Sequence, residues 1–354
     1  MISFIKQKAA NLFSGYFSLV MATGALSIAS FLLGMEPISR VLLYFNKIAY
    51  VTLWFFTLFR LIGYFPRVKA DLTSHTYGPG FFTIVAGTCV FGSQLIIVDH
   101  NYSAATYLWG LGILLWVFIM YTFFSAVTVR KNKPTLAEGI NGAWLIAAVS
   151  TQSISILGTL LSPHAENGRE VILFFTLCMY LLGCMLYLNI IALIFYRFTF
   201  VEFKYAALTP PYWINMGAVA ITTLAGSTLI LNSHNFPLLV EITPFLKGFT
   251  LFFWITGTWW IPLLFILMIW RHLYHRYPLT YDPQFWGMAF PLAMYTTSTF
   301  QLSKSLGLSF LTTIPRFMVY IAMTAWLMVF IGLVHHVYLS LKAHFQSSKK
   351  ENVV

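Results

Sequence analysis

Charge is what this chain most lacks. Only 9% of its 354 residues are Asp, Glu, Lys or Arg, against roughly 25% in a soluble domain, which excludes an ordinary water-soluble fold. Acidic residues number ten, and they fall in tails, connections or the ends of apolar stretches. A membrane-embedded enzyme, such as a lipid-modifying transferase, needs paired carboxylates, metal ligands or an activated nucleophile inside the bilayer. None is available, so the chain is not read as an enzyme. Cys89, Cys178 and Cys184 all lie within apolar runs. They form no C-x-x-C pair, disulfide framework or metal-ligand spacing. The nine histidines are scattered, and His272/His275 and His335–His336 occupy the ends of apolar runs, where no metal cluster forms. No metal or cofactor is expected. Long polar connections are also missing, so no soluble output domain fits. Residues 1–354 read as a single transmembrane domain with short tails at about 1–13 and 341–354.

What is present is apolar. Hydrophobic residues make up 59% of the chain, and mean hydropathy is +0.77. Runs of ~20 residues, enough for a ~30 Å hydrocarbon core, recur along the whole length. Ten are expected to be helices: about 14–34, 41–63, 80–98, 104–129, 140–161, 171–196, 212–232, 248–270, 284–305 and 313–340. The first, with Lys6 and Lys8 before it, imitates a signal peptide, but it is too long and too rich in Gly, Thr and Ser. The expected class is an all-α integral membrane protein.

A formal charge of +11 raises the possibility of nucleic acid, but its distribution fits a membrane. With a cytoplasmic N-terminus, fifteen Lys and Arg fall on the cytoplasmic side, including Arg130, Lys131, Lys133, Arg271 and Arg276. Five fall opposite: Arg40, Arg169, Lys247, Lys304 and Arg316. This positive-inside bias predicts both termini in the cytoplasm, in a plasma membrane or bacterial inner membrane. No nucleic-acid partner is expected.

The runs alternate in character. Even-numbered ones are greasy and aromatic, as in "YLWGLGILLWVFIMYTFF". Odd-numbered ones carry small and hydroxyl residues, as in "GYFSLVMATGALSIAS" and "NGAWLIAAVSTQSISILGTLL". Each odd run opens with a small residue or proline shortly before an aromatic: Gly15–Tyr16–Phe17, Gly80–Phe81–Phe82, Gly142–Ala143–Trp144, Pro211–Tyr212–Trp213 and Pro283–Gln284–Phe285–Trp286. The aromatics at 17, 82, 144, 213 and 286 are spaced by 65, 62, 69 and 73 residues. This is a degenerate fivefold repeat of a two-helix hairpin, all copies in one orientation, unlike the inverted repeats of many transporters.

Two explanations fit the polar odd runs. Small residues and hydroxyls enrich membrane helix interfaces in general. Alternatively, five odd helices ring a pore and the even helices lie outside. Neighbours ~9 Å apart put five axes ~7.7 Å from the centre, which leaves a lumen of ~2–3 Å radius inside helices of ~5–6 Å radius. Such a lumen passes a small ion and is closed by one aromatic ring. Packing does not explain why polarity alternates with the repeat, so the pore is the expectation. Its candidate lining is Thr23, Ser27, Ser30, Thr83, Gly87, Gln94, Gln152, Ser155, Thr223, Gly226, Thr297, Gln301 and Lys304.

The ninth run contains F-W-x-x-x-F-P-L, the first G-Y-F-x-x-x-M-x-T-G, and the seventh "PPYWINMG". With ten hairpin-paired helices, the chain resembles the tellurite-resistance/dicarboxylate transporter family, whose relatives include plant guard-cell slow anion channels, fungal malate permeases and sulfite pumps. The resemblance implies a homotrimer in which each protomer has its own fivefold pore. It also implies a phenylalanine gate on the ninth helix, which by its place in the motif is Phe290. Pro291 removes a hydrogen bond from the Gly287 carbonyl and is expected to bend the helix beside the gate. With tails read as this short, phosphorylation control through long regulatory tails, as in the plant members, is not expected.

Between their ends the odd runs hold no charge except Lys304 near one mouth. Cation pathways use carboxylate rings, and none exists here. Hydroxyl, amide and helix dipoles suit a weakly held anion. The expected function is an anion channel or transporter for the chloride, nitrate, sulfite, tellurite or C4-dicarboxylate class. A proton-coupled dicarboxylate transporter is the alternative.

Overall fold

The repeated glycine or proline ahead of the aromatics becomes a structural device. Gly78–Phe81, Gly142–Leu145, Pro210–Trp213 and Pro283–Phe285 are single 3-10 turns, each leading directly into a longer helix. Proline suits these first positions, where a backbone N–H has no helical acceptor. In the computed structural model, which describes residues 6, 8–165 and 167–351, ten long helices follow one another. They are α1 (Ser18–Leu32), α2 (Glu36–Gly63), α3 (Phe82–Asp99), α4 (Tyr102–Val129) and α5 (Ile146–Leu161). Then come α6 (Arg169–Phe200), α7 (Ile214–Leu231), α8 (Pro237–Ile269), α9 (Trp286–Leu306) and α10 (Thr313–Glu351). A π-turn, Trp270–Tyr274, extends α8. No strand occurs among the described residues. The outer parts of the expected tails, 1–5 and 352–354, lie outside the described residues.

Eight of these helices are long and apolar enough to cross a membrane: α2 to α8 and α10, with their attached turns. The other two differ from the sequence expectation for separate reasons. The apolar run at 14–34 yields a helix of only 15 residues. Its opening residues are turns, and Gly34, at φ +81°, reverses the chain ahead of Pro37. α9 is long enough at 21 residues, but Thr296, Thr297, Ser298, Thr299, Gln301 and Ser303 dilute its hydropathy.

Packing separates the helices into two sets. α1, α3, α5, α7 and α9 touch in a closed cycle, each against the next and α9 against α1. Each also packs on the long helix that follows it. Of the most apolar windows of α3, α5 and α7, 94% is buried, against 22–44% in α2, α4, α6, α8 and α10. The second set exposes large apolar side chains, including Ile48, Phe55, Leu114, Phe118, Phe252 and Ile266. Apolar surface on that scale suits hydrocarbon rather than water.

α9 continues as a helix through Pro291. The opposing position on α7 is glycine: a Cβ on Gly217 would lie 2.6 Å from Pro291 Cγ. The proline ring is thus seated in a notch of the neighbouring helix.

Candidate functional site

A cavity of about 170 Å³ opens where the first turns of the five inner helices converge. Its lining follows the aromatic repeat. Counting from Phe17, Phe82, Trp213 and Trp286, the residues two before each aromatic are Gly15, Gly80, Pro211 and Gln284, and all line the cavity. The residues one after, Ser18, Thr83, Ile214 and Gly287, line it too. One turn deeper come Met21 and Phe290. The fifth helix contributes Ala143, Ile146 and Val149, one residue later, because its turn supplies one aromatic only. Steps of three residues keep these side chains on one helical face.

The deepest layer therefore holds Met21, Val149 and Phe290. The equivalent positions on α3 and α7 are small, Ala86 and Gly217. Phe290, 1% exposed, is the bulkiest group in the layer.

No charged residue lines the cavity among the described residues. Three of its hydroxyls are satisfied locally: Ser18 donates to the Gly15 carbonyl at 2.7 Å, Thr83 to the Gly80 carbonyl at 2.7 Å, and Ser14 to the Tyr77 carbonyl at 2.8 Å. Asn141 Oδ1 accepts from the Ala143 N–H at 2.9 Å, which turns the amide NH2 away from that bond. Beside the mouth, burial and then the charges of Arg130 and Lys133 hold His75 below its ordinary pKa. His75 is accordingly neutral at neutral pH and adds no charge. A wall of this kind can hold an ion only loosely.

Of the residues expected to line a pore, the structure brings Thr83 to this cavity together with Phe290. The others have different partners. Thr23 accepts from Trp326 Nε1 of α10 at 3.0 Å. Ser27 donates to the Ser39 carbonyl of α2 at 2.8 Å. Gln94 accepts from Asn46 of α2 at 2.7 Å. Gln152 donates to the Tyr180 carbonyl and Ser155 to the Thr176 carbonyl, both on α6. Gly226 faces Thr250 and Tyr180, and Gly87 lies against Phe17. Ser30 and Thr223 donate to carbonyls four residues back. Thr297 reaches the Ala25 carbonyl of α1 at 3.3 Å. Pro291 packs on Gly217. Gln301 is partly exposed, and Lys304 lies 4.6 Å from the Phe300 ring centroid near the end of α9.

The reason is physical. A hydroxyl buried in a helix bundle needs an acceptor, and the nearest are the preceding turn or an adjoining helix. A polar face can therefore mark a helix–helix seam as readily as a wet one. Met21, Ile146, Val149 and Ile214 line the cavity but, being apolar, carry no signal of it in a search for polar faces. The aromatic register was the signal that could have found them.

The chain matches the family described as "Voltage-dependent anion channel" over residues 11–334. It is 26% identical to an uncharacterised transporter of Methanocaldococcus jannaschii over 350 residues, covering 96% of this chain and 97% of that protein. Over 151 residues it is 34% identical to an uncharacterised membrane protein of Mycobacterium tuberculosis, 43% of this chain and 76% of the other. A sulfite efflux pump of Trichophyton rubrum is 22% identical over 344 residues, 90% and 89% of the two chains.

Proposed function

The chain belongs to the voltage-dependent anion channel family, and on that premise we propose that it passes small anions through the centre of its five inner helices, with Phe290 as the gate and Pro291 fixing its position. That it is an anion channel or transporter follows from the family and its relatives. The observation that supports this particular route is the uncharged cavity walled by five converging helix starts and bounded at depth by Phe290. Each helix start carries partial positive charge, and no lining carboxylate opposes it. Ten helices cross the membrane in this proposal, as five hairpins with the inner helices shielded from lipid. Both termini are cytoplasmic, so the cavity opens to the cytoplasm. The cavity is built from one chain, so a trimer would carry three independent pathways.

Proteoliposome flux across chloride, nitrate, sulfite, tellurite and a C4-dicarboxylate, with and without a pH gradient, tests the proposal. Movement of at least one small anion without need of a pH gradient is expected. Strict dependence on a proton gradient would favour the coupled transporter instead.

Gly287 offers a complementary test. A Cβ there meets Ile214 Cδ1 at 3.6 Å and Pro211 Cα at 3.8 Å, ordinary contacts. Gly287→Ala should fold normally, with thermal stability within about 1 kcal/mol of the parent. Gly287→Leu fills the same turn of the cavity and should reduce flux to background. Undiminished flux in Gly287→Leu would place the pathway elsewhere.

A further inference from the structure

Three arginines sit at the same place in the repeat. Arg60, Arg197 and Arg271 each lie three residues before the last residue of α2, of α6 and of the π-turn that extends α8. All are buried, at 6%, 8% and 6% exposure. Each guanidinium donates to a backbone carbonyl in the segment leading to an inner helix: Ala10, Ile140 and Leu208 respectively. Orientation in the membrane explains exposed basic residues on one side. It does not explain burying them.

Their charge balance differs. Arg60 is paired with the Asp71 carboxylate at 2.5 Å. Arg197 and Arg271 have no carboxylate partner among the described residues. Arg197 also donates to the Tyr212 hydroxyl, and its guanidinium lies 5.3 Å from the Phe203 ring centroid and 5.8 Å from that of Tyr212. Arg271 lies 4.2 Å from the Tyr277 ring centroid, and its Nε–H has no acceptor among the described residues. Carbonyls and ring faces stabilise a cation without cancelling its charge. The acids Glu138 and Glu202, on the same connections, are exposed to solvent, where they are screened. Asp282, partly buried before α9, accepts the N–H of cavity-lining Gln284 at 2.8 Å and opposes the two arginines with one negative charge against their two positive ones.

Both uncancelled charges stand directly behind the cavity wall. The carbonyls they hold belong to Ile140 and Leu208, and the next residues, Asn141 and Thr209, line the cavity. One peptide step of ~3.8 Å and one hydrogen bond of ~3 Å put each guanidinium within roughly 10 Å of the lumen. That is close to the Debye length at physiological salt, and buried charges are screened less than exposed ones.

We propose that Arg197 and Arg271 supply the positive potential that draws anions into the cavity and disfavours cations, acting through the wall without touching the ion. The proposal rests on the anion-conduction reading and adds the source of its selectivity. The helix starts reinforce the same sign, and the paired Arg60 contributes little.

Screening separates this electrostatic role from a purely structural one. Chloride flux and the chloride-to-potassium permeability ratio are measured in proteoliposomes at about 0.01 M and about 1 M salt, where Debye lengths are ~30 Å and ~3 Å. The unmutated protein should lose anion preference as salt rises, a result that requires no variant to fold. Arg197→Gln and Arg271→Gln should each lower the ratio several-fold at low salt, and the double variant on the order of tenfold. At high salt the differences should largely vanish, and Arg197→Lys and Arg271→Lys should restore the low-salt ratio. The charge-conserving pair Arg60→Gln with Asp71→Asn should leave salt dependence unchanged. Equal losses at both salts would show that the arginines merely brace the fold. A salt-independent ratio in the unmutated protein would overturn the proposal while leaving conduction intact, whereas no anion flux at either salt removes the conduction reading and this proposal with it.

Discussion

Phe290→Ala raises anion flux by at least ~10-fold, equivalent to lowering the limiting barrier by about 1.4 kcal/mol. The expectation comes from the asymmetry of the deepest cavity layer. Of the residues that line it at this depth, Met21, Val149 and Phe290, only Phe290 carries a ring, and the wall between it and the mouth is uncharged. In a lumen of ~2–3 Å radius the phenyl ring is the obstacle whose removal leaves the largest opening. Truncating a fully packed Phe costs ~3–5 kcal/mol in soluble cores. Phe290 already borders a cavity, so its loss should fall at the low end of that range. Phe290→Leu keeps bulk without the flat ring and should give an intermediate flux. Phe252→Ala on α8, where the side chain is 50% exposed, should change neither flux nor assembly. A large stability loss in Phe290→Ala with unchanged flux would make the residue ordinary packing.

The largest structural effect is expected at Gly142→Ala. Gly142 opens the 3-10 turn before α5, and its α-carbon abuts the turn before α7. An added Cβ would lie 2.1 Å from the Pro211 carbonyl oxygen, 2.5 Å from its carbon and 2.6 Å from Tyr212 Cα. All three are backbone atoms, so no side chain can rotate aside. Pushing two helix starts apart at the cavity mouth should cost about 3 kcal/mol or more, at or beyond the upper end of ordinary overpacking. Thermal unfolding in detergent measures it, and Gly287→Ala is the matched control because its Cβ meets nothing closer than 3.6 Å. Equal stability of the two variants would contradict the close approach of these turns.

Much of this architecture was legible in the residues themselves. The alternation of greasy and hydroxyl-rich runs marks which helices are buried, because lipid excludes unpaired polar groups. The aromatic pairs Tyr16–Phe17, Phe81–Phe82, Tyr212–Trp213 and Phe285–Trp286, and the single Trp144, mark where each inner helix starts. Less legible was the rotation of each inner helix. Gln152 and Ser155 lie on a polar stripe that reads as wet, yet they hold α5 against α6 through the Tyr180 and Thr176 carbonyls. A hydroxyl bonded across a seam and one facing a lumen look the same in sequence. Phe290 was identifiable because a motif named it, whereas Ile146 and Ile214 resemble any buried aliphatic. The buried arginines were hidden in another way. Arg197 and Arg271 counted toward membrane orientation, and only the tertiary contacts distinguish them from surface charges such as Arg130.

The proposed route runs between inner helices joined by polar seams, along an uncharged cavity wall, to the Phe290 ring. The most direct test is the reversal potential of purified Phe290→Ala in a planar bilayer under a potassium chloride gradient. The account predicts a large conductance that reverses near the chloride equilibrium potential. A reversal near the potassium potential, or no conductance above that of the unmutated protein, would contradict it.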